Sequence, residues 1–395
     1  MSEIGEAVWN SMSDVLLSAI DREPSRGEYT DAQCHDHSRI NADVEGKIGL
    51  AVGQRAAAQV AGSIQFYRLL FKAFNDLEWT TVRQRAVEFQ PNLKAKFPRF
   101  IEEIEAIAEG AQVDFLDVLA LNIRTEIAFG LFDERSRRPM AIEAVDGCTT
   151  LGWKTASGET FLSQNWDWKL KQKPNLIILR VNPRGVPNLE LPSFQMITEA
   201  GIIGKIGFNE HGVGCLLNGI RAKGVSPDRM PIHFALRTIL ESKTKREALD
   251  KIESVGLAGS SHILLGDNTG PTGLECTSIG FQELPADHLG RVIHANNLIL
   301  QHEGVFEPLW LEDSPKRTAR LQELATKEIG DKAGFSTLLE LFKDEQGFPA
   351  SINRHQHGNN DSNTLFNVVY NITARKGVIS MGRPTEVEEQ IEIGF

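Results

Sequence analysis

The chain has 395 residues, enough for one large α/β domain with an added helical part or for two medium domains. Its 41% hydrophobic and 24% charged residues are typical of a globular protein, and no apolar run is long enough to span a membrane, so no membrane partner is expected. The 42 basic and 53 acidic residues give a formal charge of -11, the wrong sign for a protein that binds a phosphate backbone, so no nucleic-acid partner is expected either.

The cysteines and the N-terminus favour a reducing compartment. The four cysteines, at positions 34, 148, 215 and 276, are too scattered for a disulfide framework and include no Cys-x-x-Cys pair. Residues 1–14 contain Glu3, Glu6 and Asp14 but no basic region, which argues against a secretory signal. We therefore expect a cytoplasmic protein.

The first third of the chain has the residue spacing of helices. Apolar residues at helical intervals predict a helix over residues 1–20, and a polar linker follows. An Ala-rich run predicts one long amphipathic helix from Gly46 to Phe74. Further helices are predicted at 78–89, 98–110 and 114–130. We interpret residues 1–44 as an N-terminal extension and linker, and residues 45–147 as a helical small chain.

After residue 139 the pattern changes to short strands separated by turn signals. The first predicted strands are 149–154, 159–165, 176–181, 202–209 and 212–217. Helices return over 231–254 and 314–328, with strands at 261–266, 272–277, 291–295, 364–373 and 377–381. Runs of strands interleaved with pairs of helices favour a layered α/β architecture over a strictly alternating parallel one.

Asp146-Gly147-Cys148-Thr149-Thr150 lies where the helical part gives way to the first strand. Gly147 leaves its carbonyl sterically open, so the thiol of Cys148 could attack it in an N-to-S acyl shift that ends in hydrolysis. The new chain would begin with Cys148, whose α-amine, with a reference pKa of about 8, could act as the base for its own thiol. The pentapeptide alone also fits a buried core cysteine.

Several blocks around Cys148 follow one another in a recognisable order. They are Asp146–Thr150, Gln164–Asp167, Ile197–Lys205 with Gly207–Asn209, Leu121–Glu126 upstream, and Thr364–Asn367 and Gly382–Thr385 downstream. Together they resemble the fungal isopenicillin-N acyltransferase family over about residues 45–390. The resemblance implies a proenzyme that cuts itself between Gly147 and Cys148. It also implies the four-layer αββα sandwich of N-terminal-nucleophile hydrolases, formed by a small chain, 1–147, and a catalytic chain, 148–395.

Four more positions match site residues of that family. The resemblance implies that Asp167 holds the new α-amine and that Asn218 donates a hydrogen bond to the oxyanion. Arg354 would lower the thiol pKa or clamp a carboxylate, and Thr150 would line the substrate pocket. Without the matched blocks, Asp167 would be a turn residue, Asn218 part of an Asn-Gly turn and Arg354 a solvated surface side chain.

The sequence departs from the family at three places. Asn360-Asp361-Ser362 replaces a Ser-Arg-Gly segment, so Asp361 would bring a negative charge to the substrate pocket, and we expect 6-aminopenicillanic acid, an anion, to be a poor acceptor. His294-Ala295-Asn296-Asn297 lacks the second His of the family's His-x-Asn-His. The C-terminus lacks the peroxisomal tripeptide of the penicillin enzyme, which again favours the cytoplasm.

These features predict an acyl-CoA-dependent N-acyltransferase of secondary metabolism, in which Cys148 carries the acyl group as a thioester. Its partners would be acyl-CoA, a small amine or amide, and its own cleaved small chain as a heterodimer. No cofactor is expected apart from the coenzyme A thioester as a co-substrate. No metal is expected either, because the pairs His35 with His37 and His355 with His357 lack further ligands at suitable spacing.

Two alternatives stay open. An amidohydrolase of the same fold would cleave N-acyl or β-alanyl amides, and the choice depends on how well the pocket excludes water and places the amine. A non-catalytic binding relative is disfavoured, because Cys148, Asp167, Asn218 and Arg354 are all present together.

Overall fold

The structure, a computed structural model, describes residues 39–42, 48–131, 147–183, 190–308, 311–327, 334–358 and 362–395. The predicted helix over residues 1–20, the pair His35 and His37, Asp146 and Asp361 lie outside these ranges. No helix within the described ranges is both long and apolar enough to cross a membrane.

The chain from residue 48 to residue 130 is helical. Its helices are α1 (Ile48–Arg55), α2 (Ala57–Asn75), α3 (Trp79–Lys96), α4 (Pro98–Ala111), α5 (Phe115–Asn122) and α6 (Arg124–Gly130). The prediction of one helix from Gly46 to Phe74 is wrong, because the backbone leaves the helical conformation at Ala56, with φ −116° and ψ 28°. A Cβ on Gly49 would lie 2.2 Å from the carbonyl oxygen of Glu103. The break therefore separates α2 from the short helix α1, in which Gly49 lies against the backbone of α4.

The predicted helix over 114–130 is also two helices, with the break at Ile123. The side chain of Asn122 donates to the carbonyl oxygens of Val118 at 2.9 Å and Gly201 at 2.8 Å. Its Oδ1 accepts from the backbone nitrogen of Ile203 at 2.9 Å. The end of α5 is thus tied to the turn that follows the strand ending at Glu199, and α6 begins in a new segment.

The remaining chain forms two sheets. The strands are β1 (Arg39–Ala42), β2 (Gly147–Lys154), β3 (Thr160–Lys169), β4 (Leu176–Val181), β5 (Phe194–Glu199), β6 (Ile206–Asn209), β7 (Gly214–Gly219), β8 (Ser261–Asp267), β9 (Gly270–Cys276), β10 (Phe281–Pro285), β11 (Arg291–His294), β12 (Ser362–Asn371), β13 (Lys376–Arg383) and β14 (Glu386–Gly394). One sheet has the order β1-β4-β5-β6-β7-β8-β9-β10 and the other β11-β2-β3-β12-β13-β14. Neighbouring strands are antiparallel except β1 and β4.

The two sheets stack face to face, because β2 and β3 contact β7, β8 and β9. Helices α7 (Ile232–Leu240) and α8 (Lys245–Val255) pack on the first sheet, and α9 (Ser314–Lys327) and α10 (Phe335–Leu341) pack on the second. This arrangement confirms the predicted four-layer αββα sandwich. The helices predicted over 231–254 are α7 and α8, and the hydroxyl of Thr244 caps the second by accepting from the backbone nitrogen of Glu247 at 3.1 Å.

Burial on both faces explains the composition of the central strands. Every residue of β3 is buried, as are the first seven residues of β2, because each strand has the other sheet on one face and helices on the other. Cys148 lies in this interior at 1% exposure.

Candidate active site

Cys148 is the second residue of β2 and pairs with the end of β3. Gly147 lies opposite Asp167, and Cys148 lies opposite Trp166. Because side chains alternate along a strand, Asp167 projects on the same face as Gly147 and on the opposite face from Cys148. The pairing therefore brings Asp167 directly beside the peptide bond predicted to be cut.

Three buried side chains hold the backbone of Cys148. Oδ1 of Asn296 accepts from the nitrogen of Cys148 at 2.8 Å. Nδ2 of Asn218 and Nη1 of Arg317 donate to the carbonyl oxygen of Cys148 at 3.1 and 2.8 Å. Nη2 of Arg317 also donates to Oδ1 of Asn296 at 2.9 Å, which joins the two sides. The residue thus has a hydrogen-bond acceptor at its nitrogen and two donors at its carbonyl.

Asn296 and Arg317 contact Cys148 and belong to the candidate site, but the sequence did not predict either of them. Asn296 lies within His294–Asn297, which matches the family's His-x-Asn-His except for the second His. The Asn of that matched segment was therefore a sequence signal for Asn296. Arg317 lies in the first part of α9, and nothing in its local sequence separates it from a surface arginine. Only the packing of α9 on β2 brings its guanidinium, 2% exposed, to Cys148.

Asp167 and Arg354 form a charged cluster beside Gly147. Oδ1 of Asp167 accepts from the hydroxyl of Thr364 at 2.6 Å, and its Oδ2 accepts from Nε of Arg354 at 3.4 Å. A Cβ on Gly147 would lie 2.7 Å from Nη2 of Arg354, so only glycine leaves room for the guanidinium in this position. Arg354 therefore clamps a carboxylate of the protein and packs on the predicted cleavage site.

Asp313 connects this cluster to the frame around Cys148. Its Oδ2 accepts from Nη2 of Arg354 and, at 2.7 Å, from Nε of Arg317. Burial alone would raise the pKa of Asp313, but Arg317 and Arg354 lower it below its ordinary value. Burial likewise would lower the pKa of Arg354, but Asp313 and Asp167 raise it. Asp313 thus bridges the two arginines and connects the Asp167 cluster to the frame around Cys148.

Thr150 lies next to Asn218 in the interior. Its hydroxyl is 3.0 Å from Oδ1 of Asn218 and 3.2 Å from the carbonyl oxygen of His294. Its predicted role in lining the substrate pocket stays a prediction, because the described hydrogen bonds of the hydroxyl go to these protein groups.

A pocket adjoins Cys148 and is lined by aromatic and cationic side chains. Its lining residues are Arg124, Thr125, Phe129, Cys148, Trp166, Trp168, Lys205, Leu217 and Gly219. Glu199 accepts from Nη2 of Arg124 at 2.6 Å and also from Lys205 and the hydroxyl of Tyr67. Burial would raise the pKa of Glu199, but Arg124 and Lys205 lower it below its ordinary value. The cations of the pocket wall are thus fixed in place by a protein carboxylate.

No cluster of three or more His, Cys, Asp or Glu side chains suited to a metal ion occurs within the described part of the chain. His355 and His357 lie there against the ring of Phe348.

The sequence pattern of the acyl-coenzyme A:6-aminopenicillanic acid acyl-transferase family matches residues 153–386. The 40 kDa form of acyl-coenzyme A:6-aminopenicillanic-acid-acyltransferase from Emericella nidulans is 36% identical over 352 residues, which are 88% of this chain and 93% of that protein. The chain belongs to this acyltransferase family. Membership makes it an enzyme of acyl transfer or of the related hydrolysis.

More distant similarities of this acyltransferase-family chain reach hydrolases. A β-alanyl-dopamine/carcinine hydrolase from Drosophila melanogaster is 22% identical over 189 residues, 45% of this chain and 46% of that protein. Among solved structures, a conjugated bile acid hydrolase from Clostridium perfringens has a TM-score of 0.43 at 13% identity and covers 63% of this chain and 92% of its own. Penicillin V acylase from Agrobacterium tumefaciens has a TM-score of 0.41 at 13% identity, with 63% and 86% covered.

Proposed function

We propose that this chain is a self-processed cysteine N-acyltransferase that moves an acyl group from acyl-CoA to an amine through a thioester on Cys148. The observation that carries the proposal is the polar frame around Cys148, with an acceptor at its nitrogen and two donors at its carbonyl. Cys215 and Cys276 have no such frame of side chains among the described residues, and burial raises the pKa of both thiols. The frame therefore distinguishes Cys148 from a core cysteine.

The first step is cutting of the Gly147–Cys148 bond. The Cys148 thiol attacks the carbonyl carbon of Gly147, the carbon–sulfur bond forms, and the carbon–nitrogen bond breaks as the proton passes to the departing nitrogen. Oδ1 of Asn296 already accepts from that nitrogen, and so it can hold the new amine. Water then hydrolyses the thioester to a Gly147 carboxylate and a free thiol. The products would be chains 1–147 and 148–395, which stay together as a heterodimer.

The second step is acyl transfer by the free Cys148 residue. The α-amine takes the thiol proton, the sulfur attacks the thioester carbonyl of acyl-CoA, and coenzyme A leaves as a thiol with that proton. The amine acceptor then attacks the acyl–Cys148 thioester, so that the carbon–nitrogen bond forms, the carbon–sulfur bond breaks, and a proton of the acceptor returns through the α-amine to the Cys148 sulfur. Nδ2 of Asn218 carries two hydrogens, one on the Cys148 carbonyl and one that can stabilise the oxyanion of each tetrahedral intermediate.

The donor, acyl-CoA, and the class of acceptor, an amine, are proposed from the name of the Emericella relative, an acyltransferase between acyl-coenzyme A and 6-aminopenicillanic acid. We further propose, from the family resemblance, that the activity belongs to secondary metabolism, and, from the scattered cysteines, that the protein works in the cytoplasm. Asp361 lies outside the described residues, so its proposed effect, a preference for neutral or cationic acceptors, rests on the sequence.

A hydrolase is the second candidate, because the Drosophila relative is a β-alanyl-dopamine/carcinine hydrolase. Incubation with acyl-CoA thioesters, with and without amines, followed by mass analysis of the products, separates the two. We expect the N-acyl amine to form when an amine is present. Free acid as the product at every amine concentration, with cleavage of the corresponding amide, would favour the hydrolase.

A further inference from the structure

The nitrogen and the oxygen of the Asn218 carboxamide contact different groups of the protein. Nδ2 donates to the carbonyl oxygen of Cys148 at 3.1 Å. On the other side, Oδ1 lies 2.8 Å from Nδ1 of His262 and 3.0 Å from the hydroxyl of Thr150. A rotation of this amide by half a turn would bring its oxygen to the Cys148 carbonyl, so the donor at the nucleophile depends on what holds Oδ1.

The contact with Oδ1 defines which nitrogen of His262 carries hydrogen. An amide oxygen only accepts, so Nδ1 of His262 must be the N–H donor. Nε2 has no hydrogen-bond partner among the described residues and faces Gly273, whose absent Cβ would lie 2.6 Å away. Burial, together with the neighbouring His294, lowers the pKa of His262 well below its ordinary value. The ring is thus neutral, with its hydrogen on Nδ1.

A second layer holds the ring of His262 in place. The ring of His294 stacks on it with centroids 3.7 Å apart and planes inclined by 10°. Nε2 of His294 lies 2.8 Å from Glu275, which also accepts from His302 at 3.0 Å and from the backbone nitrogen of Ile299 at 2.6 Å. His294 is therefore fixed from behind, and it restricts the plane in which His262 can donate.

We infer that His262 is a positioning residue, whose Nδ1–H locks the amide of Asn218 with its nitrogen toward Cys148. The opposite tautomer would present a lone pair at Nδ1, attract the nitrogen of Asn218 and turn the amide oxygen toward the nucleophile. This inference rests on the proposed function, in which the amide stabilises the oxyanion, and adds the group that orients it.

A matched pair of variants tests the role. In His262→Asn the side-chain nitrogen can stand where Nδ1 stands, whereas His262→Leu has a similar size and no donor. Both lose the stack on His294, and of the two only the Asn side chain can donate a hydrogen bond to Asn218. We expect His262→Leu to lower kcat by roughly 10²-fold with KM changed less than about threefold, and His262→Asn to stay within about fivefold of wild type. Equal losses in the two variants would show a packing role and overturn the inference.

Combination with Asn218→Ala separates failure of the inference from failure of the proposed function. If His262 acts through Asn218, His262→Leu should cause no further loss in the Asn218→Ala background. Wild-type turnover in Asn218→Ala would contradict the oxyanion role itself, and the inference with it. A loss in Asn218→Ala that is fully additive with the loss in His262→Leu contradicts the inference alone.

The tautomer can also be observed without an activity assay. Proton–nitrogen correlation spectra of the wild-type protein labelled at its histidines report which ring nitrogen carries hydrogen. The His262 signal is assigned by its absence from either variant, so one folded variant is enough. We expect the hydrogen on Nδ1, because that nitrogen lies 2.8 Å from Oδ1 of Asn218, which can only accept. An Nε2–H ring would overturn the inference.

Discussion

At the scale of single residues, the three cysteines within the described ranges, Cys148, Cys215 and Cys276, have different surroundings although all three are buried. Cys148 has side chains from β7, α9 and the segment after β11 on its backbone. Cys215 has backbone neighbours, with its sulfur 3.4 Å from the carbonyl oxygen of Lys205 and 3.9 Å from that of Leu236. Burial raises the pKa of the Cys215 thiol in spite of a backbone hydrogen bond from Gly207, so Cys215 is suited to packing.

The first prediction compares these two cysteines. Cys148→Ala should abolish both the cut after Gly147 and turnover, because it removes the nucleophile of each. Cys215→Ala is the matched control and should cut itself and turn over like wild type. A denaturing gel reports the cut, and product mass reports turnover. Turnover that survives in Cys148→Ala, or is lost in a folded Cys215→Ala, would refute the assignment.

The second prediction concerns the guanidinium of Arg317. One guanidinium reaches the carbonyl oxygen of Cys148, the hydroxyl of Thr149 at 2.9 Å and Oδ1 of Asn296. Arg317→Lys keeps the charge but replaces the planar fork by a single ammonium. We expect kcat to fall by about 10-fold to 10²-fold with a smaller change in KM.

The control for Arg317→Lys is Arg320→Lys on the same helix. Arg320 pairs with Asp344 and Glu323, away from Cys148. Equal kinetics in the two variants would remove Arg317 from the site.

At the scale of elements, the matched sequence blocks are mostly connections between buried segments. Asn122 ties α5 to Ile203, Arg124 pairs with Glu199 on β5, and Oε1 of Glu126 accepts from the backbone nitrogen of Ile232 at the start of α7 at 2.6 Å. The blocks could be recognised from the sequence as matches to the family. Their hydrogen-bond partners could be identified only from the fold, because each partner lies far along the chain.

Glu126 leads to a prediction about stability. Burial, opposed by the hydrogen bond from Ile232, raises its pKa from 4.5 to about 7. The folded state then binds more protons than the unfolded state between these values, so the free energy of unfolding falls as pH rises from about 4.5 to 7. The loss at pH 8 is on the order of 3 kcal/mol.

Glu126→Gln should not show this loss, because its side chain cannot ionise. Both proteins are best compared in the Cys148→Ala background, which is expected to stay one chain, by denaturant unfolding at pH 5 and pH 8. At each pH we take the free energy of unfolding of the variant minus that of its parent. We expect this difference to be more positive at pH 8 than at pH 5. If the difference in free energy of unfolding between variant and parent is the same at both pH values, Glu126 ionises in the folded protein without cost.

The start of β2 gives a prediction about self-cutting. A methyl group at position 147 would meet the guanidinium of Arg354, which is fully buried and paired with Asp167 and Asp313. Gly147→Ala should therefore slow the cut, measured as the time course of chain separation on a gel. Gly280→Ala is the control, because nothing lies within 4 Å of a Cβ at that position. Equal rates in both variants would show that this close approach does not matter.

At the scale of the whole molecule, local patterns predicted elements better than their arrangement. The strand over 176–181 was predicted at its observed bounds, whereas the helices predicted over 46–74 and 114–130 each proved to be two. Those breaks depend on long-range contacts, such as Gly49 against α4 and Asn122 against Gly201. The face-to-face stacking of the sheets came from the family resemblance and not from periodicity.

The candidate site shows the same division. Sequence blocks identified Cys148, Asp167, Asn218 and Arg354, and the fold brings all four to one region around the start of β2. Asn296 and Arg317 come from a loop and a helix face, and their proximity to Cys148 depends on packing between layers. His262, on β8, carries no local sequence signal at all.

In the proposed mechanism Cys148, freed by the cut after Gly147, is the residue that carries the acyl group. Intact mass analysis of wild-type protein incubated with an acyl-CoA, without an amine, tests it most directly, followed by peptide mapping. We expect a chain 148–395 that carries one acyl group on Cys148 and an unmodified chain 1–147. Fully active protein that remains one uncut chain, or an acyl group on Cys215 or Cys276, would contradict it.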